Sequence, residues 1–185
     1  MESITDKDYC NALAEKSLYD KESFAKLYDI FFDAVYNFVF YRLRNIESAN
    51  DVVSEIFLKV YAHLKDFDKN KSSFKTWLFT ITNNAVIDYL RYISRDKTVD
   101  FPEYFENLFS DDTNQPERNL ILDEEKAQVL AALDKLSENE RQLIQLKYWF
   151  EFSYFEIAEI LNLTYSNVRI IHYRALKKLQ KIFNS

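Results

Sequence analysis

Apolar side chains recur at every third or fourth position along three stretches in the first half of the chain, which is the period of an amphipathic α-helix. The stretches cover residues 22–43, 48–64 and 74–93, and a short helix is also expected over residues 9–19. Either Ser72 or Ser73 can cap the start of the third helix, because a serine hydroxyl accepts a hydrogen bond from a free backbone N–H there. Packing of these apolar stripes predicts one helical domain over residues 1–95.

The helical period stops at residues 96–118, which contain both prolines of the chain, Pro102 and Pro116. Proline and clustered polar residues interrupt helices, so this segment is predicted to be a linker. The period resumes over residues 120–136. A second helical domain is therefore expected over residues 119–185.

Two helix starts in the second domain carry the capping box S-x-x-E, in which serine and glutamate side chains satisfy free backbone N–H groups. The boxes are formed by Ser137 with Glu140 and by Ser153 with Glu156. The two boxes therefore predict that one helix begins directly after Ser137 and another directly after Ser153.

The second box opens a short predicted helix over residues 153–161, followed by a turn over 162–164 and a longer helix over 165–183. This is the spacing of a helix-turn-helix, whose second helix enters the major groove of DNA. Asn162 stands where a turn glycine is usual, and asparagine adopts the left-handed conformation more readily than most residues. A helical hairpin whose basic last helix is only a solvated face has the same spacing.

Two sets of residues follow from this motif. The apolar positions expected to lock the two helices together are Ile157, Ala158, Leu161, Leu163, Val168 and Ile171. The positions left exposed to meet DNA are Tyr165, Ser166, Asn167, Arg169, Ile170, Tyr173 and Arg174.

Composition supports an all-α fold, since the 185 residues include no glycine and 48% are apolar. A chain with that apolar content can build cores and is not expected to be disordered. The lone Cys10 cannot form an internal disulfide, and no apolar run approaches the roughly 20 residues that span a bilayer. The first residues lack the layout of a secretory signal. We therefore expect a cytoplasmic protein without membrane insertion.

The net charge of −6 is unevenly distributed. Residues 1–95 carry −1, residues 96–125 carry −8 and residues 126–185 carry +3, so most of the acidity belongs to the linker. Residues 166–185 contain five basic side chains and no acidic one, and such a segment can lie along DNA phosphates.

The segment over residues 67–91 joins a basic polar loop to an aromatic-rich helix that contains Asn83 and Asn84. Aromatic stacking and a cationic track bind single-stranded DNA, and an extruded base needs a polar pocket. The alternative is that Trp77, Phe74 and Phe79 belong to the core, and for Trp77 this is the favoured interpretation.

Three segments in order resemble the motifs of the small RNA polymerase sigma factors of the extracytoplasmic-function (ECF) type, in the sigma-70 family. The stretch ANDVVSEIFLKVY, residues 49–61, resembles the core-polymerase-binding pattern A-x-D-x-x-Q-E-x-F-x-x-x-[WY], with Ser54 in place of Gln. The stretch TWLFTITNNAVIDYLR, residues 76–91, resembles the promoter-melting pattern T-W-L-x-x-I-A-x-N-x-x-x-D-x-x-R, with Thr82 in place of Ala. SYFEIAEILNL, residues 153–163, and the basic helix after it resemble the region that reads the upstream promoter element.

The resemblance implies roles for residues of the first domain. Residues implied to lie on or support the helix that docks on core polymerase are Asp51, Ser54, Glu55 and Phe57. Residues implied at the minus-ten element are Asp68, Lys69, Asn70, Lys71, Ser72, Ser73, Lys75, Asn84 and Arg91. Among the latter, Asn84 and the loop 68–73 would receive a flipped base, while Lys75, Arg91 and also Arg95 would hold phosphates.

In the second domain the resemblance implies contacts with the minus-thirty-five element. The residues are Lys147, Tyr165, Ser166, Asn167, Arg169, Tyr173, Arg174 and Lys177. The acidic linker would thread through the polymerase cleft. Core RNA polymerase and promoter DNA are the implied partners, and many family members are also held by an anti-sigma protein.

Further departures from the family pattern lie in the second domain. Where G-T-V-[KR]-S-R is common, this chain has residues 166–171 ending in Ile170 and Ile171, so two polar or basic contacts are replaced. Leu176 replaces a frequent arginine and Glu151 a frequent glycine. An unusual promoter sequence is therefore expected.

Two other classes of function compete with the sigma factor. An autonomous helix-turn-helix regulator would explain the second domain only. A helical interaction protein or an enzyme has less support, because no metal-binding Cys and His spacing, glycine-rich phosphate loop or nucleophile motif occurs. His63 is expected to be a packing or surface residue, and neither a cofactor nor a metal is predicted.

Overall fold

The computed structural model describes residues 6–95 and 128–184. The helices are α1 (Lys7–Lys16), α2 (Lys21–Leu43), α3 (Ile46–His63), α4 (Phe74–Arg95), α5 (128–134), α6 (Glu138–Tyr148), α7 (Tyr154–Ile160) and α8 (Tyr165–Phe183), with a short 3-10 helix at Leu64–Asp66. These residues contain no β-strand, which confirms the expected all-α class. The predicted linker over 96–118 lies outside the described residues.

The described residues fall into two compact units. The first contains α1 to α4 together with Glu159–Leu161, and the second contains the other helical segments. Within the described part of the chain, no helix is both long and apolar enough to cross a membrane.

Side-chain caps begin the helices of the first unit. Asp20 accepts from the backbone N of Glu22 at the start of α2, and Asn45 accepts from the backbone N of Ser48 at the start of α3. Of the two serines proposed for α4, Ser73 is the cap, since its Oγ accepts from the backbone N of Thr76 at 3.1 Å. The caps satisfy first-turn N–H groups that have no partner within the helix.

The core of the first unit is built from the apolar stripes of α2, α3 and α4. Its largest fully buried side chains are Leu27, Phe31, Phe38, Ile56, Phe74, Leu78 and Phe79. The rings of Phe31 and Phe74 lie 5.6 Å apart, and those of Phe38 and Phe79 lie 5.5 Å apart. Of the two interpretations of Phe74 and Phe79, the structure supports a core position.

Both capping boxes of the second unit are formed. The Glu140 carboxylate accepts from the backbone N and the hydroxyl of Ser137 at 2.9 and 2.8 Å. The Glu156 carboxylate accepts from the same groups of Ser153 at 2.9 and 2.7 Å. The predicted starts of α6 and α7 are therefore confirmed.

Helix α6 packs on α8 in this unit. Leu133, Leu136, Ile144 and Ala175 form one buried cluster, with the side chain of Leu179 against it. Of the residues expected to join the two helices of the motif, Ile157 and Val168 are buried, whereas Ala158, Leu161, Leu163 and Ile171 are half-buried.

Three non-glycine residues have positive φ: Arg44 at 54°, Glu151 at 57° and Asn162 at 52°. Asn162 lies two residues after the end of α7. The backbone N of the next residue, Leu163, donates to the carbonyl of Ala158. That bond is one of the pair that defines a Schellman motif. The sequence expectation that Asn162 takes the place of a turn glycine is confirmed, and Glu151 adopts the same region of backbone space.

Candidate nucleic-acid and partner interfaces

One exposed row runs along α3. Asp51, Ser54, Glu55 and Leu58 are all exposed and recur at helical spacing, opposite the buried residues of the same helix. Glu55 pairs with Lys59 at 2.6 Å, while Ser54 Oγ donates to the backbone carbonyl of Asn50. The row combines negative charge with one apolar side chain, so it can bind a partner helix that carries basic and apolar groups.

Two residues change the sequence-based description of this face. Phe57 is buried and packs against the rings of Tyr28 and Phe32, so it supports α3 from the core side and does not lie on the exposed row. Leu58 was not singled out from sequence, yet its side chain is 70% exposed at the C-terminal end of the row. Its place in the helical period opposite Val60 and Ile56 was the available signal.

The loop between the 3-10 helix and α4 is held by its own side chains. Asp68 accepts from the backbone N of Asn70 and lies 3.9 Å from the Nζ of Lys71. Lys69 pairs with Glu15 of α1 at 2.9 Å. These pairs leave the amino groups of Lys69 and Lys71 at the surface, where they contribute positive charge beside α4.

Not every loop residue proposed for DNA contact is on the surface. Ser73 is buried, and its hydroxyl lies 2.8 Å from that of Thr76. Ser72 is half-buried. Ser73 therefore positions α4 and does not present a side chain to a nucleic acid.

Asn83 and Asn84 are adjacent in sequence but have different surroundings. Asn83 is buried, and its Oδ1 accepts from Arg42 Nη1 at 2.8 Å. Asn84 is exposed and lines an open cleft of about 360 Å³. Only Asn84 of the two is therefore available to an incoming ligand.

The cleft lies between the end of α3 and the middle of α4. Its lining consists of Lys59, His63, Asp66, Trp77, Ile81, Asn84, Ala85 and Asp88. None of the loop residues 68–73 is among them. The structure thus groups Asn84 with the end of α3, and not with the loop residues that the sequence had associated with it.

His63 and Asp66 were not proposed as site residues. The His63 Nδ1 lies 3.0 Å from an Asp66 carboxylate oxygen, and both side chains are exposed at the cleft. The expectation of a surface position for His63 is confirmed. The sequence shows that Asp66 follows His63 by three residues. It does not show that both lie in one cleft with Asn84, because that depends on the packing of α3 on α4.

Trp77 is only partly a core residue. Its ring lies 5.6 Å from that of Phe67 and 5.8 Å from that of Phe74, and it also lines the cleft. The side chain is half-buried. The expectation of a core role therefore describes only part of the indole, since the ring also contributes to the wall of the cleft.

Basic residues continue along α4. Lys75 is half-buried in the first turn, whereas Arg91 and Arg95 are exposed at the end of the helix. Arg91 lies 3.4 Å from Asp88 in a surface ion pair. Exposed pairs of this kind are weak and leave a guanidinium able to contact a phosphate.

Helix α8 presents all of its proposed DNA-contact positions to the surface. Exposed residues are Tyr165, Ser166, Asn167, Arg169, Ile170, Tyr173, Arg174 and Lys177. The Thr164 side chain caps the helix by accepting from the backbone N of Asn167. A rigid, basic helix exposed from its first turn is suited to enter the major groove.

Lys147 differs from the other proposed contacts. It is half-buried, donates to the backbone carbonyl of Phe152 at 3.3 Å, and has its Nζ 5.0 Å from the centroid of the Tyr154 ring. These contacts tie the end of α6 to the start of α7. Lys147 therefore has a structural role in addition to any contact with a DNA backbone.

A histidine and two tyrosines join three helices beside Lys147. The Tyr148 hydroxyl lies 3.1 Å from Nε2 of His172, and the Tyr154 hydroxyl lies 3.0 Å from Nδ1. Burial, and after it the charge of Lys147, lower the pKa of His172 below its usual value. The cluster was not found from sequence because its members are separated along the chain.

The part of the chain that the structure describes contains no candidate metal-binding site. Within residues 6–95 and 128–184, no group of three or more His, Cys, Asp or Glu side chains is arranged to hold a metal ion. The buried Cys10 thiol has a raised pKa because of its burial and, to a smaller extent, the charge of Asp6.

Comparisons with known proteins match both halves of the chain. The family model for sigma-70 region 2 matches residues 27–96, and that for sigma-70 region 4 matches residues 126–179. The ECF RNA polymerase sigma factor SigW of Bacillus subtilis (strain 168) is 30% identical over 88% of this chain and 89% of its own length. SigM of the same organism is 27% identical over 86% of this chain and 94% of its own length.

A solved structure shares the fold. It is that of the sigma factor RpoE in complex with the anti-sigma factor NepR from Bartonella quintana, with a TM-score of 0.68 and 21% identity. The match covers 88% of this chain and 98% of that one.

Proposed function

We propose, on the premise that this chain belongs to the ECF group of the sigma-70 family of RNA polymerase sigma factors, that its two units divide the work of transcription initiation. Family membership rests on the two region matches and on relatives aligned over most of their length. It gives the chain a role in directing RNA polymerase to promoters. An autonomous regulator would leave the region 2 match unexplained.

The domain boundaries are part of the proposal. Residues 1–95 form the region 2-like domain, residues 96–118 the acidic linker and residues 119–185 the region 4-like domain. The matched segments, 27–96 and 126–179, support that division. We further propose that the protein acts in the cytoplasm beside the polymerase and has no enzymatic activity of its own, since the family consists of initiation factors.

The α3 row is the proposed docking face for core polymerase. Asp51 and Glu55 supply negative charge and Leu58 supplies an exposed apolar contact. Interfaces combine desolvated apolar contacts with polar groups, and this row places Leu58 one turn after Ser54 and Glu55. Phe57 would contribute by holding α3 against α2.

The cleft at Asn84 is the proposed pocket for a base extruded from the minus-ten element. Trp77, which lines the cleft, would offer a stacking surface, and the Asn84 amide can read a base edge by hydrogen bonds. The carboxylates of Asp66 and Asp88 would repel a phosphate but accept from base amino groups. The cleft is thus better suited to a base than to the DNA backbone.

Phosphate contacts around this pocket are assigned to the surface cations. Lys69 and Lys71 in the loop, and Lys75 and Arg91 on α4, would follow the melted strand. Such contacts supply affinity without sequence information.

In the second unit, α8 would read the minus-thirty-five element from the major groove. Arg169 and Arg174 are exposed on its first turns, and Lys177 continues the positive charge. An anti-sigma protein is an additional proposed partner, because RpoE of Bartonella quintana, which shares the fold, was solved in complex with one.

The test is a titration of the full chain into core RNA polymerase. Wild type should bind tightly, and Glu55→Arg should weaken binding by about tenfold, because reversing an interface charge introduces repulsion. Asp29→Arg, a charge reversal at an exposed position of α2, is the matched control and should bind like wild type. No binding by wild type would end the proposal, whereas unchanged binding by Glu55→Arg would remove only the α3 assignment.

A further inference from the structure

The outward face of α8 has an apolar centre. At about 100° per residue, Ser166, Ile170, Tyr173 and Lys177 form the row opposite the buried residues Val168 and Ala175. Ile170 is 48% exposed and Tyr173 is 65% exposed. The two side chains that project furthest from the core along the first turns are therefore an isoleucine and a tyrosine.

Positive charge lies on both sides of this row. Arg169 and Arg174 are each about 70° from its midline, in opposite directions. In a helix that lies in the major groove, side chains at the flanks face the two phosphate backbones and those on the midline face the base edges. The geometry assigns phosphate contacts to the arginines and base contacts to Ile170 and Tyr173.

The two consecutive isoleucines are not equivalent. Ile171 is half-buried on the side of α8 that packs on the rest of the unit, while Ile170 points away from it. Burial of an exposed aliphatic side chain such as Ile170 by a partner would gain hydrophobic free energy, because apolar surface would be removed from water. The neighbouring residue of the row, Tyr173, has the Lys177 amino group 5.8 Å from the centroid of its ring.

We propose that Ile170, with Tyr173 beside it, recognises the C5-methyl group of thymine in the upstream promoter element. Thymine carries the only apolar group that an unmodified base pair exposes in the major groove, and an aliphatic side chain has no hydrogen bond to offer the other bases. This inference rests on the proposed function of the second unit. It adds a residue that determines specificity and the chemical group that it reads.

The test starts from holoenzyme assembled from core polymerase and the full chain. An upstream element is first selected from DNA with randomised positions, and each thymine of the selected element is then replaced singly by deoxyuridine, which lacks only the methyl group. For wild type, at least one replacement should weaken binding by about three- to tenfold, the scale of one buried methyl group.

Substitutions in the protein complete the experiment. Ile170→Ser should bind the thymine and deoxyuridine forms equally at that position, and the slope of affinity against salt should stay unchanged because no charge is lost. Leu176→Ser, which alters an exposed apolar residue of α8 outside the row, should retain the wild-type discrimination. Circular dichroism verifies that both variants keep the helical content of wild type.

Two results overturn the inference in distinguishable ways. If a specific upstream sequence is selected but every deoxyuridine form binds like its thymine form, the methyl contact is wrong and the proposed function stands. If no upstream sequence is selected, the proposed function of the second unit fails together with the inference.

Discussion

The side-chain oxygen of Asn11 in α1 accepts a hydrogen bond from the backbone N of Phe74, the first residue of α4, at 2.8 Å. Both residues are buried. The bond satisfies one of the first-turn N–H groups of the helix that carries Asn84. Helix α1, which lies before the segment matched by the region 2 model, therefore helps to fix the start of α4.

Replacing Asn11 by alanine should destabilise the first unit by about 1–3 kcal/mol, because a buried N–H would lose its acceptor. Chemical denaturation of the full chain, followed by circular dichroism, measures the change. Asn37→Ala, at an exposed position of α2, is the control and should change stability by no more than about 0.5 kcal/mol. Equal stabilities for the two variants would show that the cap has no energetic role.

The surroundings of Glu140 predict that the stability of the second unit depends on pH. Its carboxylate, 8% exposed, accepts from Ser137 and from Lys178 Nζ at 2.7 Å. Burial alone would raise the pKa of Glu140, but the hydrogen bonds from Lys178 and Ser137 outweigh it and hold the pKa below the usual value. The stabilisation is therefore present above the unfolded pKa, about 4.3, and is lost as the pH falls through the lowered folded pKa.

At neutral pH, Glu140→Gln should lower the free energy of unfolding by about 1–2 kcal/mol, since it weakens the capping box and removes the ion pair with Lys178. The difference from wild type should shrink as the pH falls below about 4. Glu159→Gln, at an exposed position, should match wild type throughout. A Glu140→Gln deficit that stays constant with pH would argue against a charge effect.

Asn84→Ala should slow promoter opening by about fivefold and leave core binding intact, because it removes a hydrogen bond to the extruded base and touches no residue of the α3 row. Fluorescence of a base analogue in the minus-ten element reports opening, and a pull-down with core polymerase reports binding. Equal losses in both assays would instead indicate a general folding defect.

Arg169→Ala should weaken binding of the upstream element and reduce the slope of log affinity against log salt by about 1, as expected when one phosphate contact is lost. Lys181→Ala, in the last turn of α8, is the control and should keep the wild-type slope. An unchanged slope for Arg169→Ala would exclude a phosphate role for that arginine.

The local sequence pattern was sufficient to predict most of the described helices. The periods over 22–43, 48–64 and 74–93 correspond to α2, α3 and α4 within two residues at each end. The capping boxes and the turn at Asn162 located α6, α7 and α8, because each signal acts within four residues of the chain.

The features that sequence did not provide depend on contacts between distant segments. The family motif singles out Asn84, but the burial of its neighbour Asn83 depends on long-range contacts such as the hydrogen bond from Arg42. Similarly, the cleft beside Asn84 includes His63 and Asp66 because α3 packs on α4. Ile170 and Ile171, by contrast, were distinguished from the helical period, which placed Ile170 among the exposed positions and Ile171 among those that pack, as the structure has them.

We propose that this chain gives RNA polymerase its promoter specificity. The most direct measurement compares the retention of genomic DNA fragments at physiological salt by the chain alone, by core polymerase alone and by the two together. We predict tight binding of the chain to core and selective retention of a subset of fragments only when both are present. Tight, selective DNA binding by the chain alone, with no binding to core, would contradict it and identify an autonomous regulator.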